Sequence, residues 1–518
     1  MKLTATLLSI ISFFGTVAIA LSLAEIASIW PTAGGMRCSK NQTNVSVNNF
    51  VGQYHWVAVL APPDTRVVAS WFTGWISVGG QIVLTASAAF AAGLQLQALI
   101  TLNHPDSYVP QRWQGMLFYW LVLLYAAAVN IWGSKILPHT NLASGMPKSI
   151  SIARSYPGYR QLTSLGVLHI VGFLAIVIVL GVMAPKHSAH YVFVEVSNSS
   201  GWSSDGVAWL VGLLSSVYPF LGYVPLLICA YFVTCHSNTS ISKISNIPLS
   251  RYDAAAHLSE EMPSPSRNVP LAMVGSVVAN GIIGFIYCII LLFSLGDLNS
   301  LLESPTGFPF MQLYLNVTQS PAGATTLCLI ICLIAIAANA AGLTSTSRTF
   351  WAFARDDAVP FSKYFAHVHP NLKVPVRMVV LVAVLQGLLG FIYLGNTTAF
   401  NAVLSMAVIG MYLSYILPIV YMLVCGRRKL PASEYGPFKL GKVGGMVVNV
   451  VAILWLVFAI VFSTFPNFQP VTAQNMNYST VVLAGWVGGG AVYYFLKGRK
   501  VYNGPVVEVD SLSLEHSK

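Results

Sequence analysis

Charge is what this sequence has least of. Only 8% of its 518 residues are Asp, Glu, Lys or Arg, against about 25% in soluble globular domains. So few charges cannot clothe a water-facing surface, which excludes a soluble fold. Acidic residues are the scarcer kind, 16 against 27 basic ones. The glycine loop G-x-x-x-x-G-K-S/T is missing, which removes a built-in ATPase. Cysteine is sparse at 7 residues. Cys288, Cys328, Cys332 and Cys425 fall in or at the ends of apolar runs, where a small polarizable side chain is ordinary packing. Cys328 and Cys332 lie one helical turn apart, but no further ligand sits near them in sequence, so no metal is expected. No cofactor is expected either, and the chain does not read as an enzyme.

What is abundant is apolar sequence, 55% of the chain, gathered into runs near the length that crosses a hydrocarbon core about 30 Å thick. The runs are Thr4–Trp30, Trp71–Leu94, Gly115–Trp132, Leu168–Met183, Val207–Val233, Val269–Leu295, Ala324–Leu343, Met378–Leu394, Val403–Val424, Met446–Phe462 and Val481–Leu496. They predict an all-α, multi-pass integral membrane protein with about 11 transmembrane helices.

The net charge of +11 does not point to nucleic acid, because its distribution follows another rule. Lys135, Lys148 and Arg154, then Arg267, then Arg348, Arg355, Lys363, Lys373 and Arg377 lie in alternate loops. Arg427, Arg428, Lys429, Lys439 and Lys442, and finally Lys497, Arg499 and Lys500, continue the series. The intervening loops hold almost none, with Arg112 and Lys186 as exceptions, and this is the positive-inside pattern. The N-x-S/T triplets at Asn198, Asn316, Asn396 and Asn477 fall in the opposite loops, where glycosylation acceptors belong. Both signals put the C-terminal tail, 498–518, in the cytoplasm, behind a transmembrane domain over 1–497. Met1 then begins outside, directly at a helix start, and the expectation is that sequence upstream of it is missing.

Three polar stretches interrupt the apolar pattern. "LSLAEIASIWPTAGG" closes the first run, and Glu25 within it is either an intramembrane functional carboxylate or an interface residue near the cytoplasmic end. "DAAAHLSEEMPSPSRNVP" holds Asp253, His257 and Glu260/Glu261 on one helical face, with Pro263 and Pro265 ending it. Asp253 suits a broken-helix substrate or ion site, or a solvated helix end. "NAAGLTSTSRTFWAFARDDAVPF" carries Asn339 and Thr344, which line a path or satisfy helix–helix contacts. His169, in the fourth run, is a candidate proton relay or simply a hydrogen-bonded histidine.

At these stretches the sequence resembles the amino acid–polyamine–organocation superfamily, in particular fungal permeases of the amino acid/choline type. The residues that carry the likeness are "SLAEIASIWPTAGG" with "QYHWVAVLAP", "SSVYPFLG" with "YDAAAHLSEE", and "FARDDAVPF". The resemblance implies a twelve-helix transporter built as a five-plus-five inverted repeat, here lacking the first helix. It also implies a substrate site at the middle of the bilayer beside unwound helices. The family's sixth-helix break corresponds to Tyr218, Pro219, Phe220 and Gly222 with Tyr252 and Asp253. Proline removes a backbone hydrogen bond there, glycine permits non-helical dihedrals, and an aromatic ring can hold an ammonium group.

The departures from the family are equally specific. Residues 36–52 split GGQYHW, 146–166 split ASG from VLHIVGF, and 223–251 separate Leu221-Gly222 from Tyr252-Asp253. In codon space each stretch admits an unspliced intron. Gly35-Met36 and Gly145-Met146 admit a start at GTATG and Gly222-Tyr223-Val224 one at GTACGT. Thr43-Asn44, Leu162-Thr163 and Ser245-Asn246 admit the fungal branch signal CTAAC. The alternative is genuine loop insertion. The expected function is secondary active transport of amino acids, choline, γ-aminobutyrate or related amines, proton-coupled and by alternating access. Its partners are the small-molecule substrate, a proton and the lipid bilayer. The alternatives are a non-transporting product of a defective gene and a transporter-like nutrient sensor, the latter disfavoured by the short tail. The expected location is the plasma membrane, with a vacuolar or other endomembrane as alternative.

Overall fold

A computed structural model describes residues 2–30, 52–140, 157–194, 201–212, 264–297, 300–301, 303–372, 374–431, 433–466, 469–473 and 476–505. Among them there are helices and no strands. The principal helices are α1 (Lys2–Ile29), α2 (Gln53–Leu60), α3 (Arg66–Asn103), α4 (Arg112–Thr140), α5 (Pro157–Met183) and α6 (Pro265–Phe293). They continue as α7 (Pro309–Thr318), α8 (Pro321–Arg355), α9 (Val376–Gly395), α10 (Thr397–Tyr421), α11 (Lys442–Phe462) and α12 (Ser479–Tyr493).

Nine helices of the described residues are long and apolar enough to cross a membrane, and Leu168–Met183 is a shorter apolar helix inside α5. The remaining expected run, Val207–Val233, is helical over 205–212 and otherwise lies outside the described residues. So do residues 36–51, 146–156 and 223–251 of the interrupting stretches. Residues 157–166 of the second stretch form the first turns of α5, continuous with the apolar run after them.

Two helices outrun their apolar segments. α3 has 38 residues and α8 has 35, about 57 and 52 Å at 1.5 Å per residue. The excess of α8 is "LTSTSRTFWAFAR", too polar for lipid but buried almost throughout against protein. Hydropathy reports the length that faces lipid, and this extension faces other helices.

The helices pack as two groups. α3 lies against α2, α4, α8 and α10, and α9 joins α4 and α8. α1 lies along α6 and rests on α11, with α10 beside it. No comparably broad contact joins α1 or α6 to α3, α4, α8 or α9 among the described residues. α10 bridges the groups. Where it crosses α3, a Cβ on Gly80 would stand 3.0 Å from the Gly410 backbone. Small residues at such a crossing let two membrane helices approach closely.

Candidate functional site

Three polar assemblies stand out among the described residues. The first lies at the central turns of α3, α4, α8 and α9. Thr85 and Thr346 share a hydrogen bond of 2.9 Å between α3 and α8. Asn130 on α4 donates to the Ala340 carbonyl of α8 at 2.9 Å and accepts from Thr344. Gln386 on α9 donates to the Ile82 carbonyl of α3 at 3.2 Å, and Tyr119 on α4 donates to the Gln386 carbonyl at 2.6 Å. These bonds tie four helices into one body, as polar contacts do in lipid-facing bundles. Asn339 belongs to the same level of α8. It is 1% exposed, and neither amide atom has a hydrogen-bond partner among the described residues. An unmet buried polar atom costs about 1–3 kcal/mol, so this amide, together with the equally unmet Gln386 Oε1, is a part of the layer open to a ligand or water.

On the same α3 face a column descends toward α2. Gln81 donates to Ser77 at 3.3 Å, and Ser77 donates to Gln53 at 3.4 Å.

The second assembly gathers the QYHW and FARDD motifs. Tyr54 donates to Asp356 at 2.8 Å, and Arg355 flanks the same carboxylate at 3.3 Å. Ser70 donates to the Tyr54 carbonyl at 2.9 Å and meets the Tyr502 hydroxyl at 2.8 Å. Trp71 stands at the centre, in ring contact with Trp75, Phe353, Tyr493, Tyr494 and Tyr502. Burial, with the Asp356 charge second, pushes the Tyr54 phenol well above its ordinary range. Burial, with Arg355 second, pushes His55 down to about 4. The neutral imidazole is therefore the folded form.

The third assembly surrounds Glu25, near the end of α1. Its carboxylate pairs with Arg427 and accepts the Leu440 backbone N–H at 2.8 Å. Arg427 follows a π-helical turn, Met422–Gly426, at the end of α10. Asn449 on α11 and Ser22 on α1 complete the group.

Of the residues singled out from sequence, Glu25, Thr344 and Asn339 thus lie in defined polar settings. His169 is half-buried on α5, without a hydrogen bond among the described residues. Tyr218, Pro219, Phe220, Gly222, Tyr252, Asp253, His257 and Asn198 lie outside the described residues. Asn316 and Asn396 are exposed. Asn477 is half-buried, its amide donating to the Ser463 carbonyl at 2.6 Å and capping Ser479 N at 3.1 Å. Sequence reasoning passed over Gln81, Asn130, Gln386, Arg427, Asn449 and Tyr502. Isolated amides inside apolar runs were the available signal for four of them. Arg427 was hidden among positive-inside charges, and Tyr502 in a segment read as tail.

Nine helices among the described residues are long and apolar enough to cross a membrane, and comparison with known proteins gives the class of membrane protein. The family described as amino acid permease matches residues 160–486. A choline transporter of Saccharomyces cerevisiae is 28% identical over 94% of this chain and 74% of its own length. A Macrophomina phaseolina protein described as an amino acid/polyamine transporter is 31% identical over 90% of this chain and 88% of its own. The amino-acid permease BAT1 of Arabidopsis thaliana is 28% identical over 95% and 84%. The family match spans more than half the chain, and relatives align along nearly all of it: this protein belongs to the amino acid permease family and is an integral membrane transporter, not an enzyme.

Proposed function

We propose that the protein is a proton-coupled secondary transporter of amino acids, choline or related small amines, working by alternating access. The observation that carries this reading is the division of the helices. α3, α4, α8 and α9 are stitched together by a mid-depth polar layer, while α1 and α6 pair separately. A rigid scaffold and a separate helix pair are the parts that a rocking mechanism needs. Asn339 offers a neutral donor and acceptor beside the path. The break at Tyr218–Gly222 with Tyr252-Asp253 would supply aromatic and carboxylate contacts to an ammonium. The five-plus-five repeat and a plasma-membrane location belong to the same proposal.

The substrate class rests on the relatives' chemistry, amines and amino acids, and is testable directly. Yeast lacking its own choline and amino acid permeases, expressing this chain, should take up at least one of labelled choline, γ-aminobutyrate, an amino acid panel or a polyamine. A protonophore should abolish that uptake. Uptake indistinguishable from empty-vector cells for the whole panel would overturn the proposal and favour the non-transporting product. In that case, reads of the messenger RNA across codons 36–52, 146–166 and 223–251 decide whether unspliced introns are the cause.

A further inference from the structure

The assembly around Glu25 holds more than a substrate path requires. Glu25 is fully buried and the Arg427 side chain 9% exposed, so each charge depends on the other for its solvation. Breaking such a pair strands an uncompensated buried charge. Both carboxylate oxygens are in use, one on the Arg427 guanidinium and one on the Leu440 N–H. Arg427 also donates to the Gly441 carbonyl at 3.2 Å. With its amide turned to satisfy every neighbour, Asn449 donates to Gly445 O at 3.0 Å and Ser22 Oγ at 2.9 Å, and accepts from Arg427 Nε at 3.3 Å. One turn further along α1, Ser28 donates to the Ser266 carbonyl at 2.8 Å and accepts the Phe438 N–H at 3.0 Å.

The backbone is shaped for this contact. A Cβ at Gly445 would fall 2.1 Å from an Arg427 nitrogen, and one at Gly436 would fall 2.2 Å from the Ser28 carbonyl oxygen. The π turn over Met422–Gly426 adds one residue to the helical register, which rotates Arg427 by about 100° from where an uninterrupted α-helix would aim it. Four separate pieces of chain therefore converge: the end of α1, the start of α6 at Ser266, the π turn after α10, and the 436–441 loop with α11.

We infer that Glu25, Arg427 and Asn449 form a cytoplasmic latch. It holds the α1–α6 pair shut against α10 and α11, and it must open when the inner side of the path opens. This inference rests on the alternating-access reading above. It gives Glu25 the part of a gate residue and not of a proton carrier, since both its carboxylate oxygens are engaged, one by the Arg427 guanidinium and one by the Leu440 N–H. Arg427 is likewise a positioning residue, since it acts on the path only through α1.

The test is thiol labelling of Ser28→Cys, on the full chain in inside-out vesicles, with a charged maleimide. Ser28 is buried beneath the 436–441 loop, so labelling reads latch opening without requiring transport. Adding Arg427→Ala or Glu25→Gln should speed labelling by about tenfold or more, the scale expected of a stranded buried charge. Arg427→Lys should have a smaller effect. The exchange Glu25→Arg with Arg427→Glu should recover part of the protection, which separates the ion pair from general misfolding. With the latch intact, a saturating transported substrate should change the labelling rate, because a gate cycles and a static clasp does not. Unchanged labelling in Arg427→Ala, in a preparation whose parent shows uptake, would overturn the latch alone. Labelling that responds to the variants but not to substrate would also overturn it, leaving a structural clasp. Absence of uptake in the parent would instead count against the transport reading.

Discussion

His55 gives a prediction whose size follows from its surroundings. The imidazole is 3% exposed on the short helix α2, Nδ1 has no partner among the described residues, and Arg355 repels a proton on it. Burial and that charge hold its folded pKa at about 4, against 6.5 for the free group. The unfolded chain therefore binds the proton more readily, and stability rises with pH across the window between about 4 and 6.5. Stability is lost as pH falls through that window. At 1.36 kcal/mol per pKa unit, passing from pH 7 to pH 5 costs about 2 kcal/mol through this residue. Spread over an unfolding entropy of roughly 2.1 cal/mol/K per residue for 518 residues, that is about 2 °C of Tm. His55→Gln keeps the size and removes the titration. Scanning fluorimetry in detergent at pH 7 and pH 5 should show the wild type losing about 2 °C more than the variant. Equal losses would refute the claim that the imidazole is buried in its neutral form on α2.

Other predictions follow the same packing. Trp71→Ala should lower stability by about 3–5 kcal/mol, read as a large fall in Tm, because five aromatic rings close on that indole. Gly80→Val should abolish the monodisperse peak in size-exclusion chromatography, since even a Cβ there meets the Gly410 backbone at 3.0 Å. Asn339→Leu should raise Tm by about 1 kcal/mol's worth, by removing two unmet polar atoms, while lowering uptake. A rise in Tm with uptake unchanged would take Asn339 out of the path.

The spanning helices were legible because lipid demands apolar runs of a set length, and every apolar run with described residues is helical in them but for a residue or two at its end. The lengths of α3 and α8 were not, because a polar helix buried in protein carries no hydropathy signature. Glu25 stood out as a carboxylate in an apolar run. Its partner, 402 residues away in sequence, is one of five basic residues in a loop whose charge already had an explanation. Asn449 is a single amide in an apolar helix, and only folding brings it to Ser22. Tyr502 reads as tail, yet it is buried between Ser70, Trp71 and Phe353. Motif likeness marked QYHW and FARDD as features of one family, while only the fold shows that they meet, through the Tyr54–Asp356 hydrogen bond.

The central claim is coupled transport through this fold, and purified protein in liposomes tests it most directly. With an inward proton gradient and a membrane potential of about 100 mV, each co-transported charge is worth about 2.3 kcal/mol. The potential alone would support about 50-fold accumulation of a permeant amine or amino acid per co-transported charge, and the proton gradient adds to it. The account predicts concentrative uptake of at least one labelled substrate, collapsing when a protonophore is added. Internal label that never rises above that of protein-free liposomes, with the gradient intact, would contradict it.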